Sequence, residues 1–273
     1  MMFGAAAGLV LAAALAVVGA AIPARPASAA VRVDVVGTMF HVTLADGRVL
    51  TQDELPGTVI VMGDGSGRQR RVRIDAVTRD PLDPRGEMIL YALSEQISPE
   101  GGWQNLCLPG PDGVRLGFPL GGRFTADGRY EDLPGRFLIT CTGGAEGKCI
   151  RWGYRPWERA PGGAALRDAY NACVRLVRAD YAGDGKGTTR NGQPIDIYDS
   201  FGIQQPADDP RYEFEAGWTA AGAVCVRHVR VPENATLDGI AVAAPRLAGR
   251  VGEVCTEPFA RAHGAYLFVR SPR

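Results

Sequence analysis

The chain has 273 residues, 46% of them hydrophobic, with 30 Lys and Arg against 30 Asp and Glu and a formal net charge of zero. A balanced charge offers no basic stripe that could displace counterions. Nucleic acid and an anionic membrane surface are therefore excluded as general partners, and the apolar content is too high for a disordered chain.

Gly4 to Ile22 is an unbroken run of apolar and small residues, followed by Pro23 and then Ala27-Ser28-Ala29. An apolar core, a helix-breaking proline and small residues ahead of a scissile bond predict a secretory signal over residues 1–30, cleaved after Ala29 or Ala30. Met1 to Gly4 carries no Lys or Arg, so an uncleaved membrane anchor is the alternative. Once the signal is cleaved no membrane span is expected. The mature protein would be secreted or periplasmic.

Residues 31–97 read as a β-rich subdomain. Phe40, Val42 and Leu44 alternate before Ala45-Asp46-Gly47, and Val49 resumes after it, which predicts a hairpin. Thr58 to Met62 and Arg71 to Val77 form a second predicted pair around Gly63-Asp64-Gly65-Ser66-Gly67. No helical pattern follows that glycine loop and its spacing fits neither a dinucleotide nor a P-loop fingerprint, so it reads as a hairpin tip and no cofactor is expected.

Residues 98–273 read as a disulfide-bearing domain. Ser98 to Gly113, with Trp103 and Cys107, is rich in proline and glycine and reads as the connector. Arg136 to Cys141 predicts a strand leading into a loop from Thr142 to Lys148. Between Gly163 and Arg178 the period changes: Leu166, Ala169, Tyr170, Cys173, Val174 and Val177 recur at three- and four-residue steps, the principal helix of the chain. Phe214 to Trp218 and Ala223 to Val231 predict a hairpin turning at Thr219 to Gly222. Thr256 to His263 predicts a short helix capped by Gly264, and Ala265 to Arg270 a strand. The expected fold is α+β, mainly antiparallel β with one principal helix, stabilised by disulfides.

The six cysteines are Cys107, Cys141, Cys149, Cys173, Cys225 and Cys255. An even set without C-x-x-C pairs predicts three disulfides rather than a metal site. These six cysteines leave about fifteen connectivities open; short-range closure favours Cys107 with Cys141, Cys149 with Cys173, and Cys225 with Cys255.

Ala179-Asp180-Tyr181-Ala182-Gly183-Asp184-Gly185 lies between Arg175-Leu-Val-Arg178 and Lys186-Gly-Thr-Thr-Arg-Asn-Gly192. With Cys141-Thr-Gly-Gly144, Lys148-Cys-Ile-Arg-Trp-Gly-Tyr-Arg-Pro-Trp157, Phe214-Glu-Ala-Gly-Trp218 and Gly222-Ala-Val-Cys225, it resembles the ADYC domain, a bacterial family named for that tetrapeptide. The resemblance runs from about Gly37 to the C-terminus. It implies an exported bacterial protein and no particular reaction. Ala182 stands where the family name has Cys, which removes any thiol nucleophile from that position.

Asp180, Asp184, Asp196 and Asp199 bracket a glycine-rich loop with Lys186. Paired carboxylates there could serve a secreted hydrolase, with Asp180 and Asp184 as acid and base. Equally, Asp and Gly are what tight turns require. A calcium loop is disfavoured because the middle ligand is missing and Asn191 stands where a bidentate Glu is needed. His41, His228 and His263 show no metal-pair spacing, so no metal is expected; His228 remains a catalytic candidate. Asp184, Lys186, Asp196 and Asp199 are the polar binding candidates. Trp152 and Trp157, with Tyr154, could stack on sugar rings or belong to the core beside Cys149. The preferred function is a non-catalytic binding or envelope-structural module with partners unassigned. A hydrolase using the carboxylates from Asp180 to Asp199 is the alternative.

Overall fold

A computed structural model describes residues 30–63, 66–98, 100–110 and 112–272. Residues 1–29 of the expected signal segment and the Asp64-Gly65 tip lie outside the described residues. The first hairpin pairs β1 (Ala30–Val36) with β2 (Met39–Leu44) through a turn at Gly37-Thr38. Ala45-Asp46-Gly47 does reverse the chain, but only a single bridge, Thr43 to Val49, follows it. Phe40, Val42 and Leu44 are buried, so the alternation marks the core face of β2.

The larger sheet contains β3 (Val59–Gly63), β4 (Gln69–Arg79), β5 (Ile89–Gln96), β6 (Trp103–Asn105), β7 (Gly117–Gly121) and β10 (Phe137–Cys141). Its order is β10-β7-β5-β4-β3, with β6 alongside β5. Every pairing is antiparallel. Strands from both sides of residue 97 share this sheet. The expected connector from Ser98 to Gly113 therefore contains a paired strand, and Cys107 within it is bonded to Cys141 at the end of β10. Two short strands, β8 (Arg123–Phe124) and β9 (Tyr130–Glu131), form a separate ribbon.

The expected loop from Thr142 to Lys148 is corrected by the structure, which has a helix there, α1 (Ala145–Arg151). Gly147 hides it in the sequence because glycine disfavours helix by about 1 kcal/mol. Packing requires it, since a Cβ at Gly147 would overlap the Cys141 carbonyl.

The principal helix, α2 (Leu166–Arg178), buries nine residues, including Asn171 and Arg175. A disulfide from Cys173 to Cys149 ties it to α1. Buried Asn171 is satisfied by the backbone of Tyr130 on β9: its Oδ1 accepts the N–H at 2.7 Å and its Nδ2 donates to the carbonyl at 3.3 Å.

The second sheet has the order β11 (Asp196–Asp199), β14 (Leu267–Ser271), β12 (Glu213–Thr219), β13 (Gly222–Val226). β13 stops at Val226, short of the expected Val231. Two short helices complete the set, α3 (Leu237–Ala243) and α4 (Glu257–Ala262), each with a threonine N-cap, Thr236 and Thr256, accepting a backbone N–H. The third disulfide joins Cys225 on β13 to Cys255. One buried apolar cluster extends from Phe40 through Tyr91, Leu176 and Trp218 to Val269, and each fully buried side chain of this size contributes about 1.5–3 kcal/mol. Among the described residues the architecture is antiparallel sheets with four α-helices and three disulfides, an α+β fold.

Candidate functional site

The loop after α2 is organised by its first four residues. Ala179 takes the left-handed conformation, φ 51°, and closes the helix. Asp180 is 1% exposed. Its Oδ1 accepts the N–H groups of Gly183 and Asp184 at 2.9 and 3.1 Å, and its Oδ2 accepts that of Gly185 at 3.0 Å and the Arg175 guanidinium at 2.6 Å. Tyr181 lies stacked on Trp218, its hydroxyl donating to Glu215 at 2.8 Å and accepting the Arg230 N–H at 2.9 Å. Burial first, then the Glu215 charge, pushes this phenol far above its ordinary range. Gly183 has φ 73° and sits against the Ala221 carbonyl, where a Cβ would overlap. The segment is a knot of internal bonds.

The other predicted acids are engaged separately. Asp199 folds the turn after β11: its Oδ1 accepts Phe201 N–H and Ile203 N–H at 2.7 and 3.1 Å, and its Oδ2 accepts Gln204 N–H at 2.8 Å and the Tyr154 hydroxyl at 2.7 Å. Asp196 pairs with Arg270 at 2.6 Å. Asp184 is the exposed one, 3.3 Å from the Lys186 ammonium. His228 Nε2 lies 3.0 Å from Ser271 Oγ, His263 stacks on Phe259, and His41 Nε2 is buried without a hydrogen bond. The structure thus gives each of the four carboxylates its own local partners.

A cleft of about 670 Å³ lies instead between Leu82–Arg85, the C-terminal end of α1 with the turns after it, and Ile203-Gln204. That volume suits a small ligand. Buried carboxylates fix each wall. Asp80 accepts the Leu82 N–H at 3.0 Å and two bonds from Arg151 at 2.7 and 3.0 Å. Asp83 accepts the N–H groups of Glu87 and Met88, both at 2.8 Å, and the Arg155 guanidinium at 2.7 Å. Asp199, with Tyr154, holds the third wall, and the Gln204 amide donates to the Trp152 carbonyl at 2.8 Å. Trp152 lines the cleft, as do the cations Arg85, Lys148, Arg151, Arg155 and Arg159. Trp157 does not; it is 43% exposed and covers Gly37.

The family model of the ADYC domain matches residues 52–232. That span is well over half of the chain. The chain belongs to the ADYC domain family. Comparison with curated proteins and with solved structures found no match. The ADYC match covers the larger sheet from β3 onward, the cleft and the Asp180 loop, and it ends before α3, α4 and β14, so the Cys225–Cys255 bond reaches outside it. In this ADYC chain Ala182 takes the last place of the tetrapeptide; it lines a smaller cleft of about 460 Å³ with Asp184, Lys186 and Glu233. Arg246 donates to the carbonyls of Tyr181, Ala182 and Ala221 at 3.2, 3.1 and 2.9 Å, which anchors the backbone there.

Of the residues singled out in the sequence, Trp152 lines the larger cleft and Lys186 the smaller one, while the basic cluster is not among them. Its signal is visible: Lys148, Arg151, Arg155 and Arg159 recur at three- and four-residue steps around Trp152.

Proposed function

We propose that this ADYC protein is exported and acts outside the cytoplasm as a non-catalytic ligand-binding module, with the cleft beside Trp152 as its site. One observation carries the reading: a ligand-sized cleft whose three walls are pinned by Asp80, Asp83 and Asp199, so that binding requires little reorganisation. Three disulfides accord with an oxidising compartment. Among the described residues no helix is long and apolar enough to cross a membrane. Thermal-shift screening of a small-metabolite library, run beside hydrolysis assays on glycosides and phosphate esters, tests the proposal. Saturable stabilisation that Ile203→Trp removes by filling the cleft, without turnover, is the expected result.

A hydrolytic reading keeps one observation in its favour: Asp184 and Glu233 line the same smaller cleft. Burial would raise the Asp184 pKa, but the Lys186 N–H and ammonium outweigh it and hold the carboxyl below its ordinary range. Such a group stays ionised at neutral pH, so it holds no proton to donate as an acid. Turnover abolished by Asp184→Asn would replace the binding proposal with this one.

A further inference from the structure

The cleft beside Trp152 carries more positive charge than its own carboxylates answer. Arg85, Arg151 and Arg155 pair with Asp80, Asp83, Glu87 and Glu158. Lys148 and Arg159 line the same cleft, and no carboxylate among the described residues pairs with either; Arg159 donates to the Gly163 carbonyl at 2.8 Å.

The apolar side of the cleft is equally specific. Trp152 follows Lys148 by four residues, one helical turn, so the indole and the ammonium share a face. Leu82, Pro161 and Ile203 complete the apolar surface around it. An aromatic face beside fixed cations suits a ring-bearing anion, because the ring covers the indole while the charged group takes the donors.

Resting on the cleft as the binding site, we infer that its ligand is a small ring-shaped anion, a sugar acid or a phosphorylated sugar. Its carboxylate or phosphate is held by Lys148 and Arg159 and its ring lies against Trp152. A neutral ligand would desolvate two unanswered cations and gain nothing from them.

Titration calorimetry of the intact protein at low salt with D-galacturonate, glucose 6-phosphate, D-glucose and inorganic phosphate separates the possibilities. At least one charged sugar should bind ten-fold or more tightly than both D-glucose and inorganic phosphate, and which one it is distinguishes a carboxylate from a phosphate ligand. Lys148→Ala and Arg159→Ala should each weaken that binding about ten-fold, Lys148→Arg should restore most of it, and added salt should weaken it. Both positions reach solvent, so the variants fold. Equal affinity for D-glucose and the charged sugars would overturn the anion inference while leaving the cleft as the site. Equal affinity for inorganic phosphate would overturn the ring. Failure of all four probes would overturn the inference, and Ile203→Trp in the metabolite screen would then decide the underlying reading separately.

Discussion

Arg230 and Glu215 form a two-pronged ion pair in which neither side chain reaches solvent, each of its two bonds 3.0 Å long. The same guanidinium donates to the carbonyls of Leu176 and Val177 at 2.9 and 3.0 Å, supplying acceptors at the end of α2 with the cation that suits them. Glu215 also accepts the Tyr181 hydroxyl, so the tetrapeptide, the principal helix and β12 meet at one point. Removing one partner leaves the other charge buried and alone. Glu215→Ala should lower unfolding free energy by about 3–5 kcal/mol in urea titration. A loss below about 1 kcal/mol would mean the pair does not hold the fold.

Asp180 and Asp184, four residues apart, should answer mutation differently. Asp180→Ala removes four acceptor interactions, three from backbone N–H groups and one from Arg175, at a cost of about 3 kcal/mol. Asp184 has a 40% exposed side chain, so Asp184→Asn should change stability by less than about 0.5 kcal/mol. Thermal melts of both variants check this. An unchanged Asp180→Ala would turn attention back to that carboxylate as a functional group.

Alkaline titration should be cooperative. Burial raises the phenols of Tyr91, Tyr130 and Tyr266 to about 12, and those of Tyr154, Tyr170, Tyr181 and Tyr198 are also raised, chiefly by burial. A folded pKa above the unfolded value near 10 stabilises the native state fully below pH ~10, and that contribution is lost as pH rises through the folded values. Phenolate absorbance should therefore appear mainly in one step that coincides with loss of near-ultraviolet circular dichroism above pH ~11. Gradual ionisation of most tyrosines near pH 10 with the fold intact would contradict their burial.

Reduction should weaken the protein by a similar amount for each bond it opens. The three bonds close sequence separations of 34, 24 and 30 residues, which chain-entropy arguments value at about 3 to 4 kcal/mol each. Denatured, unreduced protein should take up no alkylating reagent, and reductant should lower the melting temperature steeply. Labelling of two or more thiols before reduction would show that a bridge is missing.

Export makes a prediction of mass. Protein recovered from the envelope or medium of a producing bacterium should begin at Ala30 or Val31, as the Ala27-Ser28-Ala29 site proposes. An intact Gly4 to Ala29 segment would establish the membrane-anchor alternative.

Local features were legible and non-local ones were not. The period of Leu166, Ala169, Tyr170 and Cys173 announced α2 because a helix writes its buried face into neighbouring residues. The same holds for Thr256 and Gly264 around α4, and for the three short disulfide closures. Helix α1 was hidden because Gly147 is demanded by the Cys141 carbonyl, a tertiary neighbour that propensity does not see. The cleft was illegible for a related reason: residues 82–85, 148–161 and 203–204 come together only after the chain has folded. Asp199 stands out in the sequence only as a carboxylate near a glycine-rich loop; that it accepts four hydrogen bonds, one of them from Tyr154 45 residues away, depends on the fold.

The order of the second sheet has a bearing on how the chain is made. β14 lies between β11 and β12, hydrogen-bonded to both, although it follows both in the chain. Synthesis delivers β11 and β12 first, each with an open edge where the central strand belongs. Neither can pair with the other without excluding its true neighbour, so this sheet closes only after Leu267 to Ser271 have emerged. Until then the nascent chain presents two open strand edges, each free to pair with whatever extended chain lies near it.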